Sequence, residues 1–275
     1  MTISELLILG AAGLFAGILA GFLGIGGGTV LVPLLLALKY APVQAVATSS
    51  LSIVITAISG SVQNWRMGYL SFSQVAGIGF PAAITAQIGV YLAGIFPPYL
   101  LLVTFGLLLW LNIYLVEVRK RLKGEESSSV TAYRLPVTNS QLPNNSNILF
   151  NPIFARIATG SAAGLLAGLF GVGGGVIVVP LQIVLLGENI KTAIQTSLGV
   201  IVITAISATA GHAVRGNVLW VIGLILGAGG LLGAQISTRF LPRLSDRTIS
   251  LAFRSLLAIL SFYVFWQAWQ KFNRG

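Results

Sequence analysis

Long apolar runs are the feature that most restricts how this chain folds. The stretches 6–22, 43–62 and 72–96 contain no charged residue, and roughly 20 apolar residues in a helix are enough to cross a bilayer. Only 8% of the 275 residues are charged, whereas a soluble domain has about 25%. The runs are continuously apolar rather than alternating, which disfavours a membrane β-barrel. The sequence therefore predicts an all-α polytopic protein whose main partner is the lipid bilayer.

The scarcity of reactive residues and the placement of the charged ones exclude several classes of function. The net charge of +10 would suggest nucleic acid in a soluble protein, but here Lys and Arg lie mostly in short connections, where they fix topology. No nucleic-acid partner is expected. The chain has no cysteine, a single histidine and six acidic residues, and the glycine-rich stretches lack the Lys of a Walker A motif. We therefore predict no enzyme activity, no catalytic residue, no metal site and no cofactor.

A glycine-rich segment occurs twice within the apolar sequence. Residues 21–33 read GFLGIGGGTVLVP and residues 168–180 read GLFGVGGGVIVVP. Glycine runs end helices, because glycine loses the most backbone entropy on ordering. We expect each segment to break a helix inside the membrane, and a ligand is the usual reason for such a break. The alternative is that the glycines only allow helices to cross closely.

The second half of the chain repeats the first. At an offset of 147 the two glycine segments align, and at an offset of 148 the stretch 53–59 recurs unchanged as 201–207. Glycine, proline and polar residues in register indicate an internal duplication. The predicted organisation is a first transmembrane repeat (1–118), a linker (119–152) and a second transmembrane repeat (153–275). The linker opens with the basic residues 119–121, which place it in the cytoplasm.

The number of membrane segments depends on two short apolar stretches, 29–40 and 176–186. As a helix, residues 29–40 measure about 18 Å and are too short to span the membrane alone. If each stretch joins its neighbour in one crossing, there are four spans per half, eight in total, and the halves are parallel. If each crosses separately, there are ten segments and the repeat is inverted. The distribution of Arg and Lys does not decide between these counts.

Discontinuous helices in corresponding positions of two halves are typical of secondary transporters. The start of a half-helix offers free backbone N–H groups and a positive dipole end, which suit an anion. A cluster of hydroxyl and amide side chains follows each break within about 20 residues, and its alternative role is hydrogen bonding between helices. The predicted substrate-binding residues are Gly24, Gly26, Gly27, Gly28, Thr48, Ser49, Gly171, Gly173, Gly174, Gly175, Gln195, Thr196 and Ser197.

Four further residues occupy related positions near the predicted helix ends. His212 aligns with Asn64, and Arg215 lies one place from the counterpart of Arg66. A histidine within or at the rim of the membrane can carry a proton near neutral pH. The competing interpretation is that Asn64 and His212 cap their helices. The two arginines are expected to fix topology rather than to capture substrate.

The paired Gly-x-Gly-Gly-Gly segments, each followed by an apolar run and a proline, together with Thr-Ser-Leu at 196–198, resemble the sulfite exporter TauE/SafE family of membrane permeases. In the first half Ser50 intervenes before Leu51, so the sequence leaves open which hydroxyl is the counterpart of Ser197. The resemblance implies a multi-pass carrier of small anions in the cytoplasmic membrane, with sulfite, sulfonates and related organosulfur anions as the expected substrates.

The leading hypothesis is an anion transporter driven by a proton or sodium gradient. Two alternatives from other classes stay open: a non-transporting membrane scaffold that supports sulfur metabolism, and a passive anion channel. Neither substrate identity, direction of transport nor oligomeric state follows from the sequence.

Overall fold

The computed structural model describes residues 3–97, 99–110 and 152–272, and within them the secondary structure is helical, without strands. The first half contains α1 (Ile3–Leu23), α2 (Gly28–Ala37), α3 (Pro42–Arg66), α4 (Phe72–Ile95) and α5 (Tyr99–Trp110). The second half contains α6 (Pro152–Phe170), α7 (Gly175–Leu185), α8 (Ile190–Val214), α9 (Trp220–Phe240) and α10 (Asp246–Phe272). The predicted linker, up to residue 151, lies outside the described residues.

Seven of the described helices are long and apolar enough to cross a membrane. This confirms the prediction of an all-α polytopic membrane protein. Helices α2 and α7 have 10 and 11 residues, which correspond to about 15–17 Å. They are therefore half-helices, as expected from their length in the sequence.

Small residues allow the first helix of each half to pack on the fourth helix of the other half. The contacts advance in the same direction along both helices of each pair. Between α1 and α9 they are Gly13 with Leu226, Gly17 with Gly230 and Gly21 with Ser237. Between α6 and α4 they are Gly160 with Ile78, Gly164 with Ala82 and Gly168 with Ala86. Each pair of helices is therefore parallel. This close packing of small residues joins the two halves to each other.

The long central helices α3 and α8 each run parallel to one of these two helix pairs. Helix α3 runs parallel to α9, and α8 runs parallel to α4, because their contacts also advance together: Leu51 with Gly223 and Ile55 with Gly227; Val75 with Gly199 and Ile203 with Gly79. In contrast, α3 and α8 are antiparallel. Gly60, near the end of α3, contacts Leu198 in the first half of α8, and Thr48, near the start of α3, binds Leu219 just beyond the end of α8.

These directions decide between the two segment counts. Helices α1, α3 and α9 point one way and α4, α6 and α8 point the other, so corresponding helices of the two halves are antiparallel. Since α1 and α3 share a direction, α2 must return the chain between them, and α7 does the same between α6 and α8. The repeat is inverted and has ten segments; the eight-segment parallel alternative is wrong for the described residues.

The inverted arrangement also sorts the charges between the two faces of the membrane. Helix α6 begins directly after the linker and α8 runs parallel to it, so the starts of both helices lie at the linker face. That face carries Arg66, Lys191, Arg239 and Arg243, whereas Lys39 and Arg215 lie at the opposite face. Most of these charges therefore lie at the linker face, and the cytoplasmic position of that face stays a prediction.

Candidate functional site

The two glycine segments break the helices and adopt the same backbone conformation. Helix α1 ends at Leu23, and α2 begins at Gly28 after a left-handed Gly27. The φ angles are 66°, 74° and 78° at Gly24, Gly26 and Gly27, against 65°, 73° and 78° at the corresponding glycines 171, 173 and 174. Only glycine adopts this region without strain. The breaks predicted from the sequence are confirmed at both positions.

The two breaks lie against each other. Gly28 contacts the carbonyl oxygen of Gly171, and Gly175 contacts the carbonyl oxygen of Gly24. All residues from 24 to 28 and from 171 to 175 are buried. The contacts are reciprocal, so a pseudo-twofold axis passes between the breaks.

The meeting point lies at the mid-length of the two central helices. Gly26 and Gly173 each approach the side chains of both Ile53 and Ile201, which are the twelfth of 25 residues in α3 and in α8. The pseudo-twofold axis is perpendicular to these antiparallel helices. The breaks therefore occupy the centre of the helix bundle, where the transporter hypothesis expects a substrate.

One serine from each half bonds to the break of the other half. The hydroxyl of Ser49 donates to the carbonyl oxygen of Gly171 at 2.6 Å, and the hydroxyl of Ser197 donates to the carbonyl oxygen of Gly24 at 2.9 Å. This reciprocity identifies Ser49 as the counterpart of Ser197. Each of these two hydroxyls also lies near a carbonyl oxygen of its own helix, at 3.0 and 2.8 Å, whereas the Ser50 hydroxyl bonds only within its helix. In this conformation the two serines hold the breaks together, so their O–H groups are already committed as donors.

Backbone N–H groups in both breaks have no acceptor. None of the N–H groups of residues 25–27 and 172–174 donates a hydrogen bond to any described residue. Buried N–H groups without an acceptor are rare in proteins because each costs free energy. These six donors lie at or just before the N-terminal, positive ends of α2 and α7. The centre of the molecule is thus rich in hydrogen-bond donors and suited to an anion.

Two further buried hydroxyls near these segments were not selected by the sequence analysis. Thr29, directly after the first break, and Ser52, next to Ile53, are buried, and neither hydroxyl has a partner among the described residues. Their counterparts are Val176 and Val200. Because the hydroxyls occur in one half only, a search for polar residues repeated in both halves could not find them.

Thr204 is a third residue that the sequence analysis missed. Its hydroxyl donates to the carbonyl oxygen of Gly173 at 2.9 Å. It lies in the stretch 201–207, which repeats 53–59 without change. The unchanged repeat was therefore the available signal for this contact.

The remaining predicted polar residues lie away from the breaks. The Thr48 hydroxyl accepts from the N–H of Leu219 at 3.1 Å, and the Thr196 hydroxyl donates to Gln74 at 3.3 Å. Gln195 lines a separate cavity near the start of α8. The structure therefore brings the predicted glycines and serines together, but not these two threonines and the glutamine.

Asn64 and His212 are buried near the ends of α3 and α8. Neither side chain caps its helix: the Asn64 amide has no partner among the described residues, and Nε2 of His212 lies 3.2 Å from the carbonyl oxygen of Gly168. Arg66 is the last residue of α3, and Arg215 lies over the ring of Tyr91, with 5.7 Å to its centroid. These four residues flank the helix ends and do not reach the breaks.

No group of three or more His, Cys, Asp or Glu side chains with metal-binding geometry occurs among the described residues. The donors at the breaks are backbone N–H and hydroxyl groups, which are ligands for anions rather than for metal ions.

Comparison with known proteins gives matches over nearly the whole chain. The family model described as "Sulfite exporter TauE/SafE" matches residues 9–264. The probable membrane transporter protein YunE of Bacillus subtilis is 26% identical over 92% of this chain and 94% of that protein. A probable membrane transporter protein of Xylella fastidiosa is 25% identical over 98% of both chains. No solved structure matches this chain significantly.

Proposed function

Because this chain belongs to the sulfite exporter TauE/SafE family, a family of membrane transporters, we propose that it moves small sulfur-containing anions across the cytoplasmic membrane. The proposed substrates are sulfite, sulfonates or related organosulfur anions. In this proposal the anion binds at the centre of the bundle, between the breaks that begin α2 and α7, and an ion gradient drives transport.

The unpaired N–H groups of the two breaks carry this proposal. An oxyanion of sulfur presents several acceptor oxygens, and hydrogen bonds from N–H groups to a charged acceptor are stronger than those to a neutral one. The acidic side chains that the structure describes are those of Glu5, near the start of α1, and Glu188, in a connection. Neither of these two carboxylates lies at the breaks, where it would repel an anion. The unpartnered hydroxyls of Thr29 and Ser52 would supply two further donors.

The inverted repeat supports an alternating-access mechanism. In the structure the breaks are buried and touch each other, which corresponds to a closed centre. An anion that replaces this contact would take over donors that are otherwise unsatisfied. The two halves would then part first towards one face and then towards the other, with the reciprocal bonds of Ser49 and Ser197 broken and remade in turn.

Flux measurements on purified protein in liposomes test the proposal. We expect saturable uptake of sulfite, sulfate or a small sulfonate under a pH or sodium gradient, with counterflow when the lumen holds unlabelled anion. Flux without saturation or counterflow would instead identify a passive channel. Absence of flux for all these anions under both gradients would refute the proposal.

Two alanine variants separate substrate binding from scaffolding. A Cβ at Gly26 would lie 3.3 Å from Ile53, Ile201 and the Val172 carbonyl oxygen, and alanine there also opposes a φ of 74°. Gly26→Ala should therefore weaken an anion-induced rise in the melting temperature. Gly10→Ala is the matched control, since a Cβ at Gly10 meets nothing within 4 Å. Unchanged anion binding in a folded Gly26→Ala protein would show that the breaks do not form the binding site.

A further inference from the structure

A cavity of about 410 Å³ opens at the linker face beside the start of α8. It is lined by Tyr69, Asn189, Lys191, Thr192, Gln195 and Pro242, and we call it the α8 antechamber. Tyr69 belongs to the connection between α3 and α4, and Pro242 to the connection between α9 and α10. The antechamber therefore lies where both halves of the protein meet one face of the membrane.

From these residues we infer that the α8 antechamber binds the transported anion at the linker face before it reaches the centre. The inference rests on the proposed transport function and adds a second, one-sided binding site to it. The chemical class of ligand is a small oxyanion of sulfur, the same as at the centre.

A buried amide points into this cavity without a partner. Gln195 is only 6% exposed, and its side chain makes no hydrogen bond to any described residue. Because the amide of Gln195 reaches the cavity and has no partner in the described part of the chain, it is available to donate a hydrogen bond to a ligand there. This observation separates the antechamber from an ordinary helix start.

Positive charge surrounds the same cavity. The ammonium group of Lys191 donates to the carbonyl oxygen of Pro242 at 3.2 Å, which holds it at the wall of the antechamber. The positive dipole end of α8 adds to this charge. Asn189 already caps the helix by accepting from the N–H of Thr192 at 2.8 Å. Thr192, Tyr69 and Gln195 line the cavity beside this charge and offer donors to an anion.

The carboxylate of Glu188, three residues before Lys191, is engaged elsewhere. It accepts a hydrogen bond at 2.7 Å from the side-chain amide of Gln74, and Glu188 does not line the cavity. Gln74 in turn accepts from Thr196 at 3.3 Å. This network lies beside the cavity and fixes the first turns of α8.

The antechamber leads towards the central site. Gln195 is two residues before Ser197, whose hydroxyl holds the carbonyl oxygen of Gly24. Two residues correspond to about 3 Å along the axis of α8, or roughly half a turn. Gln195 and Ser197 therefore lie at similar depths, and in this inference an anion held in the antechamber has a short distance to cover when the breaks part.

The first half has no equivalent set of residues at the opposite face. At an offset of 148, Asn189, Lys191 and Gln195 correspond to Ala41, Val43 and Ala47. The repeat is inverted, so these apolar counterparts face the other side of the membrane. We therefore expect the affinity for anions to differ between the two faces.

A labelling experiment tests the charge of the antechamber without requiring transport. The chain has no cysteine, so Thr192→Cys introduces a single thiol into the cavity. We expect this thiol to react faster with sulfonatoethyl methanethiosulfonate than with its trimethylammonium analogue. Adding Lys191→Gln should lower the ratio of the two rates by about two- to tenfold, because a nearby positive charge is lost.

Two controls make the labelling experiment decisive. Lys191→Arg keeps the charge and should keep the ratio, and Lys39→Gln removes an exposed lysine from the opposite face and should not change it. An equal effect of Lys191→Gln and Lys39→Gln, or no effect of either, would overturn the inference.

A second variant tests the role of Gln195 in transport. Gln195→Leu breaks no hydrogen bond to any described residue, so its melting temperature should stay close to that of the wild type. If the amide binds anions, the half-saturating sulfite concentration should rise at the linker face and stay unchanged at the other. Equal changes at both faces, or no change, would refute the role of the antechamber. If the wild-type protein moves no anion, the proposed function is refuted. The ratio of labelling rates at Thr192→Cys would still show whether the antechamber attracts anions.

Discussion

The contact between the two breaks makes Gly28→Ala the sharpest test of the central architecture. Gly28 has no positive φ, so the backbone accepts alanine and only the space for Cβ is at issue. That Cβ would contact the Gly171 carbonyl oxygen and lie 2.6 Å from Cδ1 of Ile53 and 2.7 Å from Cα of Val172. Ordinary carbon–carbon contacts are about 3.5–4.0 Å. The two breaks must therefore separate by roughly 1 Å.

The expected loss follows from this overlap. Inserting a methyl group into a packed interior costs about 1–3 kcal/mol, and replacing glycine returns about 0.4–1 kcal/mol by restricting the unfolded chain. The net destabilisation is about 1–2 kcal/mol, or roughly 2–8 °C in melting temperature at about 2–4 °C per kcal/mol. The midpoint of thermal unfolding in detergent, followed by tryptophan fluorescence, measures it.

The pseudo-twofold axis supplies an internal check. Gly175→Ala introduces the equivalent overlap with the Gly24 carbonyl oxygen and should cost a similar amount. Once one methyl group has parted the breaks, the second meets less resistance, so the double variant should lose less than the sum of the single losses. Gly10→Ala should be as stable as the wild type or more so. If Gly28→Ala unfolds at the same temperature as Gly10→Ala, the breaks are not in contact.

Two further predictions concern the bonds between the halves and the membrane topology. Ser49→Ala and Ser197→Ala should each lower the free energy of unfolding by about 1–3 kcal/mol, because a buried carbonyl loses its hydroxyl donor; chemical denaturation of the purified variants measures the loss. Single cysteines at Ser71 and Ser245 should react with an impermeant maleimide from one face of the membrane, and one at Val214 should react from the other.

The stability prediction has a control variant, and each of the two predictions has a result that would contradict it. Ser255→Ala removes an exposed hydroxyl that bonds only within its own helix, to Ala252, and should change stability by less than about 0.5 kcal/mol. Losses no larger than that at Ser49 and Ser197 would show that the reciprocal bonds contribute little. Labelling of Ser71→Cys and Val214→Cys from the same face would contradict the inverted repeat.

The helices, the duplication and both breaks followed from the sequence because each rests on a local pattern. Apolar runs give the helices, and glycines in register give the breaks. The direction of the repeat could not follow in the same way. It depends on whether α2 joins its neighbour or returns on its own, and only the contacts of α3 with α8 and α9 decide that. Local composition is the same in both cases.

The sequence also could not predict which of the hydroxyls bond to the other half. Ser49 bonds a carbonyl 122 positions away and Ser197 one 173 positions away. A Thr-Ser pair gives no indication of which of its hydroxyls faces the other half. The unpartnered hydroxyls of Thr29 and Ser52 have valine counterparts, so the repeat itself concealed them. Only burial combined with missing partners reveals such residues.

The inverted repeat and the one-sided antechamber together restrict how this transporter can be asymmetric. The paired breaks offer the same backbone donors to an anion from either face. A difference between the faces must therefore come from residues that occur in one half only. Such residues are Thr29 and Ser52 near the breaks, and Lys191 and Gln195 in the antechamber. A carrier cannot change the equilibrium of its substrate across the membrane. Tighter binding at the linker face must therefore be offset by an equal difference between the conformational balance of the loaded carrier and that of the empty carrier. It follows that Gln195→Leu, by weakening binding at the linker face alone, would also shift the loaded carrier away from the conformation open to that face. The gradient alone continues to set the direction of net flux.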